Sequence, residues 1–224
     1  MQLARQHGWA TRAINLPGHD GKANPSSVTS IHDYVEFVEG VVSSSDPVII
    51  IGHSVGGLIA QAVASRCPKQ VKGLVLVNSG MPRYIRPITL KALGYALQWQ
   101  HLKPILLGRN LMPSPAVQRN VLLQTLDAES YSSVRDRFIG ASGWIALGTL
   151  TTSYPIHRQH LRCPVQVVAS MCDQFIPPSS QRRLAAKLRA SIYHVPGAGH
   201  FPMLEDNWSV TCNMILNRVG GFVG

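Results

Sequence analysis

Short runs of apolar, β-branched residues alternate along this chain with longer segments whose apolar positions recur every three or four residues. Continuous apolar runs are typical of buried parallel strands, and they predict strands at residues 12–16, 48–51, 73–78, 165–170 and 191–195. The recurring spacing predicts helices with one apolar face, at residues 31–42, 54–66, 179–188 and 205–219. The alternation predicts an α/β fold, with a mostly parallel sheet flanked by helices.

The strand pattern stops between residues 81 and 160. Prolines end or kink helices, and five of them separate the helical fragments of this block: Pro87, Pro104, Pro113, Pro115 and Pro155. We therefore predict a helical insertion at 81–160, carried by a core that is formed by residues 1–80 and 161–224.

A serine lies where the second predicted strand meets the second predicted helix. Gly52-His53-Ser54-Val55-Gly56 is a G-x-S-x-G motif, and a preceding strand and a following helix are the context that gives this motif its meaning. We expect the turn to be too tight for a side chain at Gly52 or Gly56. Ser54 is the predicted nucleophile, and the backbone N–H of Val55 is the predicted oxyanion donor.

A serine hydroxyl needs a base to take its proton, and the base needs a third group to orient it. His200 follows the last predicted strand on a loop of small residues, so we predict that it is the base. Asp173 follows the strand before it, at the sheet edge where α/β proteins place their sites. Since the strand at 73–78 ends in Asn78-Ser79 without a carboxylate, Asp173 is the predicted orienting acid.

Composition and charge exclude some classes of protein. The chain has 224 residues, of which 45% are hydrophobic and 14% charged. This high hydrophobic content excludes a disordered chain. The net charge is +10. The insertion holds nine basic and three acidic residues. No nucleic-acid-binding module accompanies this charge, so we expect no nucleic-acid partner.

The four cysteines, and the start of the sequence, bear on metal binding and location. Cys67, Cys163, Cys172 and Cys212 have no metal-ligand spacing, so we expect free thiols and no metal.

We find no secretory signal pattern at the start of the sequence and no apolar run long enough to span a bilayer. These features predict a cytoplasmic protein.

With Ser54, Asp173 and His200 in this order, the chain resembles the α/β-hydrolase family of serine esterases and lipases over residues 1–220. The segment at 14–20 resembles the family's strand end before the nucleophile turn, although Asn15 and Asp20 depart from the usual pattern. The resemblance implies that the insertion is a lid. It also implies hydrolysis of a carboxylic ester through an acyl-enzyme on Ser54, without a cofactor.

The resemblance further implies three strands and a His-Gly loop before residue 1, where the family carries its second oxyanion donor. Residues 1–9 resemble the helix that follows that loop. Three explanations stay open: a start codon placed too late, which we favour, a rebuilt sheet in which 12–16 pairs with 48–51, or a degenerate non-enzyme. Losing one oxyanion donor costs about 2.7–4 kcal/mol, so we expect reduced activity from the 224-residue form.

The insertion also carries the clues to substrate and surface contacts. Apolar and aromatic residues at 85–107, Trp99 among them, predict an apolar pocket for a small-molecule ester with a medium-chain apolar acyl group or an aromatic group. Trp99 and His53 are the candidate binding residues of this pocket. For His53 the alternative is a purely structural role. Arg86, Lys91 and Lys103 lie between the apolar residues, which fits peripheral contact with anionic lipid or plain packing onto the core.

Two other function classes stay open. One is a non-catalytic or degenerate ligand-binding protein that keeps a relic of the triad. The other is a triad hydrolase that acts on carbon–carbon bonds.

Overall fold

The computed structural model describes residues 2–19, 28, 30–82, 94, 98–151, 154–156, 158–206 and 208–222. Within these residues the main sheet has four strands: β1 (Val48–His53), β2 (Val71–Val77), β5 (Val165–Ser170) and β6 (Ser191–Val195). Their order in the sheet is β1-β2-β5-β6. All three pairings are parallel, so every strand ends at the same edge of the sheet.

Helices cover both faces of this sheet. They are α1 (Gln2–Gln6), α2 (Ile31–Ser43), α3 (Val55–Arg66), α8 (Pro178–Leu188) and α9 (Trp208–Val219). Alternate residues of a strand point to opposite faces. Leu74 and Leu76 accordingly pack with α2, α3 and α8, while Val75 and Val77 pack with α9. The predicted α/β class is confirmed.

Four of the five predicted strands and all four predicted helices are present, with ends that differ by a few residues. The largest shift is at the last helix, which begins at Trp208 instead of residue 205. Pro202–Leu204 forms a short 3-10 turn before it, since proline is favoured at the start of a helical turn but cannot continue one.

The strand predicted at residues 12–16 is wrong. The segment is in no sheet, although Ile14 and Leu16 pack against the core. A strand needs a hydrogen-bonding neighbour, and the alternative pairing of this segment with 48–51 is not formed either. Within the described residues β1 is an edge strand, and Ile51 is 54% exposed. That further strands precede residue 1 stays a prediction.

The insertion lies between β2 and β5. Its described part contains α4 (Trp99–Leu106), α5 (Pro115–Val117), α6 (Ala128–Arg135) and α7 (Gly143–Thr151). It also contains a short antiparallel pair, β3 (Asn110–Leu111) with β4 (Ala141–Ser142), which the sequence pattern did not predict. A cluster of its own holds it together, formed by Val121, Leu122, Leu123 and Leu126.

Among the described residues, no helix is both long enough and apolar enough to cross a membrane.

Candidate active site

Ser54 occupies a strained turn between β1 and α3. Its φ is 52° and its ψ is −126°, and a positive φ is unfavourable for a residue with a side chain. Three backbone hydrogen bonds hold the turn. Ser54 N–H donates to Val77 O at 3.1 Å, and Ser54 O accepts from Gly57 at 2.9 Å and from Gly80 at 2.7 Å. The end of β2 therefore stabilises the strained serine.

Glycine is required in this turn for steric reasons, but not at both of the expected positions. A Cβ on Gly52 would lie 2.5 Å from the carbonyl oxygen of Gly56, which confirms the expectation for Gly52. A Cβ on Gly56 would meet nothing within 4 Å, so that expectation is wrong. The second crowded position is Gly57, where a Cβ would lie 2.7 Å from the Cβ of Ser79.

Ser54, His200 and Asp173 form a continuous hydrogen-bonded chain. Ser54 Oγ lies 3.1 Å from His200 Nε2, and His200 Nδ1 lies 2.8 Å from Asp173 Oδ2. The carboxylate can only accept, so Nδ1 carries the proton and donates to it. Nε2 is then free of a proton and accepts from the serine hydroxyl.

The Asp173 side chain is fully buried, with 0% of its surface exposed. Its other oxygen, Oδ1, accepts from the backbone N–H of Phe175 at 2.7 Å and of Ile176 at 2.9 Å. These bonds fix the rotation of the carboxylate. Oδ2 is thereby left to face the imidazole.

His53 is the last residue of β1 and lies directly behind His200. Its Nε2 is 2.7 Å from His200 O, and the two rings are 5.0 Å apart. Burial, with repulsion from His200 as the smaller cause, lowers the pKa of His53 to about 3. The ring is therefore neutral near pH 7, and its Nε2–H donates to the carbonyl.

Asn78, at the end of β2, takes part in the same network, and sequence reasoning missed it. It is fully buried. Its Nδ2 lies 3.1 Å from Gly199 O and 2.9 Å from His200 O. The only available signal was a polar residue directly after a buried strand, and such a residue by itself indicates no hydrogen-bond partner.

A cavity of about 670 Å³ opens over Ser54. His19, His53, Phe175, His200 and Phe201 contribute from the core. Apolar residues of the insertion form much of the remaining wall: Ile105, Leu111, Pro113, Val117, Val121, Leu122, Val134, Phe138, Ile139, Ala141, Ile145 and Ala146. This arrangement suits a mainly apolar ligand.

Three polar lining residues come from the insertion: His101, Arg137 and Thr149. His101 is buried on α4, Thr149 on α7 is half-buried, and Arg137 is exposed. Among the described lining residues, Arg137 is the only lysine, arginine, aspartate or glutamate. The side chain of Trp99 lies outside the described residues, so its predicted contact with substrate stays a prediction. No group of three metal-ligating side chains is found in the described ranges.

In this parallel sheet a strained serine at one strand end is hydrogen-bonded to a histidine, and the histidine is hydrogen-bonded to an aspartate. All three follow strand ends, which is the architecture of an α/β hydrolase. Residues 1–211 match the alpha/beta hydrolase family, and the chain belongs to this family. The resemblance found in the sequence is confirmed.

Several known proteins are similar to this chain over most of its length. A pimeloyl-[acyl-carrier protein] methyl ester esterase of Chromobacterium violaceum is 29% identical over 217 residues, which is 91% of this chain and 81% of the relative. A methylesterase from Arabidopsis superposes with a TM-score of 0.74 at 15% identity, covering 99% of this chain and 91% of the other. Tomato methylketone synthase I, as a mutant, gives 0.75 at 13% identity, with the same coverage. At these identities the two structures show the fold alone.

The serine turn generates a stability prediction. We expect Gly57→Ala to lower the free energy of unfolding by about 1–3 kcal/mol, because the new methyl group overlaps buried Ser79. Gly56→Ala is the matched control, since its methyl group meets open space and alanine favours the helix by up to about 1 kcal/mol. Urea unfolding of both variants measures the difference. Equal stabilities would contradict the steric assignment.

Proposed function

We propose that this protein hydrolyses carboxylic esters, with Ser54 as the nucleophile. The observation that carries the proposal is the hydrogen-bonded chain from Ser54 Oγ through His200 to Asp173, at the floor of an apolar cavity. Membership of the family supports it. So does the similarity to a relative named as a methyl ester esterase.

In the first half of the reaction, His200 Nε2 takes the proton of Ser54 Oγ while this oxygen attacks the ester carbonyl carbon. The carbonyl oxygen gains negative charge, and the Val55 N–H at the start of α3 stabilises it. His200 then gives its proton to the departing oxygen. The alcohol leaves, and the acyl group stays on Ser54.

In the second half a water molecule replaces the alcohol. His200 takes a proton from the water as its oxygen attacks the acyl carbon, and then returns a proton to Ser54 Oγ. The carboxylic acid leaves and the serine is restored. Throughout, Asp173 keeps Nδ1 protonated and stabilises the charged imidazole.

The substrate that the cavity supports is an ester with an apolar acyl or aromatic group. The apolar wall from the insertion favours burial of a hydrocarbon chain, at about 0.8 kcal/mol per methylene. A small alcohol group is supported by the relative named for a methyl ester. His53 would contact this substrate as part of the cavity wall.

The catalytic roles are tested by kinetics on p-nitrophenyl butyrate. We expect Ser54→Ala, His200→Ala and Asp173→Asn each to lower kcat by about 10⁴-fold or more, because members of such a triad act as a unit. Fluorophosphonate should label the wild type at Ser54, and Ser54→Ala should not be labelled.

Circular dichroism of each variant is the control for folding. A wild-type rate in any variant would remove that residue from the mechanism. An unlabelled and inactive but folded wild-type protein would favour the non-catalytic alternative.

The role of the insertion in selecting substrate size is tested at α4. Ile105 lines the cavity and is 5% exposed, whereas its neighbour Leu106 points outward and is 57% exposed. We expect Ile105→Phe to reduce kcat/KM for the longest acyl chains at least about tenfold, because the larger ring takes space from the chain. Leu106→Phe should leave the profile of rates against chain length unchanged. The same profile in both variants would contradict this role.

We also propose that the insertion contacts anionic lipid. Five of the nine exposed large hydrophobic residues that the structure describes belong to it: Leu106, Leu107, Met112, Ile139 and Trp144. Ile139 also lines the cavity, so this apolar surface adjoins the entrance. Exposed Lys103, Arg109 and Arg137 lie near these residues in sequence, and cations beside an apolar surface favour anionic lipid.

Vesicle binding tests this surface with a matched pair of variants. Trp144 in the insertion and Phe37 in the core are each 41% exposed. We expect Trp144→Gln to weaken sedimentation with phosphatidylglycerol vesicles several-fold, and Phe37→Gln to have no effect. Phosphatidylcholine vesicles should bind less tightly than the anionic ones. Equal loss in the two variants, or no binding by the wild type, would contradict the proposal.

A further inference from the structure

The backbone carbonyl of His200 accepts two buried hydrogen bonds from side chains outside its own loop. Asn78 Nδ2 lies 2.9 Å from this oxygen and His53 Nε2 lies 2.7 Å from it. Neither donor touches the imidazole nitrogens, which bond to Ser54 and Asp173. The two donors therefore act on the backbone that carries the imidazole.

The loop that carries His200 needs such support. It follows β6, the outer strand of the sheet, and a loop is ordinarily more mobile than the elements it connects. Gly197 in this loop has a φ of +73°. Asn78 and His53, by contrast, lie at the ends of the neighbouring strands β2 and β1. They tie the loop to the sheet across the intervening strand β5.

The orientation of the Asn78 amide is itself fixed. Its Oδ1 accepts from the backbone N–H of Ser170 at 2.8 Å. The amide nitrogen therefore points to the other side, toward Ser170 Oγ, Gly199 O and His200 O. Asn78 thus joins the end of β2 to the end of β5 and to the histidine loop.

The backbone at Asn78 is strained in a way that matches this role. Its φ is +40°, in the left-handed region that asparagine tolerates better than most other residues with a side chain. Strain at a buried position persists when surrounding bonds over-determine it. Here the strain places the amide among the three segments that it joins.

We propose that Asn78 and His53 are positioning residues that hold the His200 backbone so that its imidazole bonds to Ser54 and Asp173 at the same time. This inference rests on the proposed function. A displacement of about 1 Å in a catalytic group can cost about 100-fold in rate. Loss of either donor should therefore lower kcat. Asn78 does not line the cavity, so its loss should leave KM nearly unchanged.

The experiment compares variants that remove a donor with variants that keep one. Asn78→Gly removes the amide and accepts the positive φ. His53→Leu removes the ring N–H, while His53→Gln places an amide donor at a similar reach. We expect Asn78→Gly and His53→Leu to lower kcat about 10- to 100-fold on p-nitrophenyl butyrate. In Asn78→Gly, KM should change less than threefold. His53→Gln should recover most of the rate.

A control and a spectroscopic signal separate positioning from general stability. Ser79→Ala removes only a buried hydroxyl, which bonds to Gln61 and Gly80 and not to the histidine loop. It keeps the Cβ that packs against Gly57. It should lower thermal stability with little loss of kcat. The low-field proton NMR signal of the His200 N–H that is shared with Asp173 should weaken in Asn78→Gly and His53→Leu, and persist in Ser79→Ala and His53→Gln.

The outcomes distinguish this inference from the proposed function. If the wild type is active and labelled at Ser54, but Asn78→Gly and His53→Leu keep its kcat and its NMR signal, the positioning role is wrong and the triad stands. If Asn78→Gly does not fold, the two His53 variants decide, and equal rates in them would overturn the inference. An unchanged rate in Ser54→Ala would overturn the proposed function itself.

Discussion

The strained backbone of Ser54 is the constraint on which the rest of the site depends. A serine with φ of 52° holds its shape only because the end of β2 bonds to it on both sides, through Val77 and Gly80. The same strand end packs Ser79 against Gly57, which sets how closely α3 approaches. One strand end thus determines where the hydroxyl points and where the helix begins.

That strand end also reaches the histidine loop through Asn78. The serine turn and the loop of His200 therefore both bond to the same few residues at the end of β2, although Ser54 and His200 are 146 positions apart in sequence. Buried polar networks are rigid when every member is satisfied. The 3.1 Å contact between Ser54 Oγ and His200 Nε2 thus joins two segments that both bond to this strand end.

Local signals in the sequence were sufficient for the strands of the sheet, because continuous apolar runs such as 165–170 are buried on both faces. They also led to Ser54, Asp173 and His200, each of which follows a strand, and the structure joins these three residues by hydrogen bonds. They failed at residues 12–16, because an apolar run becomes a strand only if a neighbour pairs with it. They failed at Gly56 and Gly57 because the crowding atoms belong to Ser79, which is distant in sequence.

Asn78 was out of reach for the same kind of reason. Asn78 stands out because its side chain donates to the carbonyl oxygens of Gly199 and His200. A local sequence pattern cannot indicate an acceptor that lies 121 positions away. Positioning groups of this type depend on tertiary contacts alone. Local patterns in the sequence therefore reveal the proposed catalytic residues, but not the residue proposed to position one of them.

The insertion is joined by hydrogen bonds to both loops that carry the candidate acid and base. Gln124 donates to the carbonyl oxygen of Cys172, next to Asp173, at 2.6 Å. Thr125 donates to Glu205, and the same carboxylate oxygen accepts from Gly199, next to His200, at 3.0 Å. The segment at 124–125 is thus bonded to the backbone beside Asp173 and, through Glu205, to the backbone beside His200. Since apolar residues of the insertion also form much of the cavity wall, the wall and the two loops belong to one connected set of contacts.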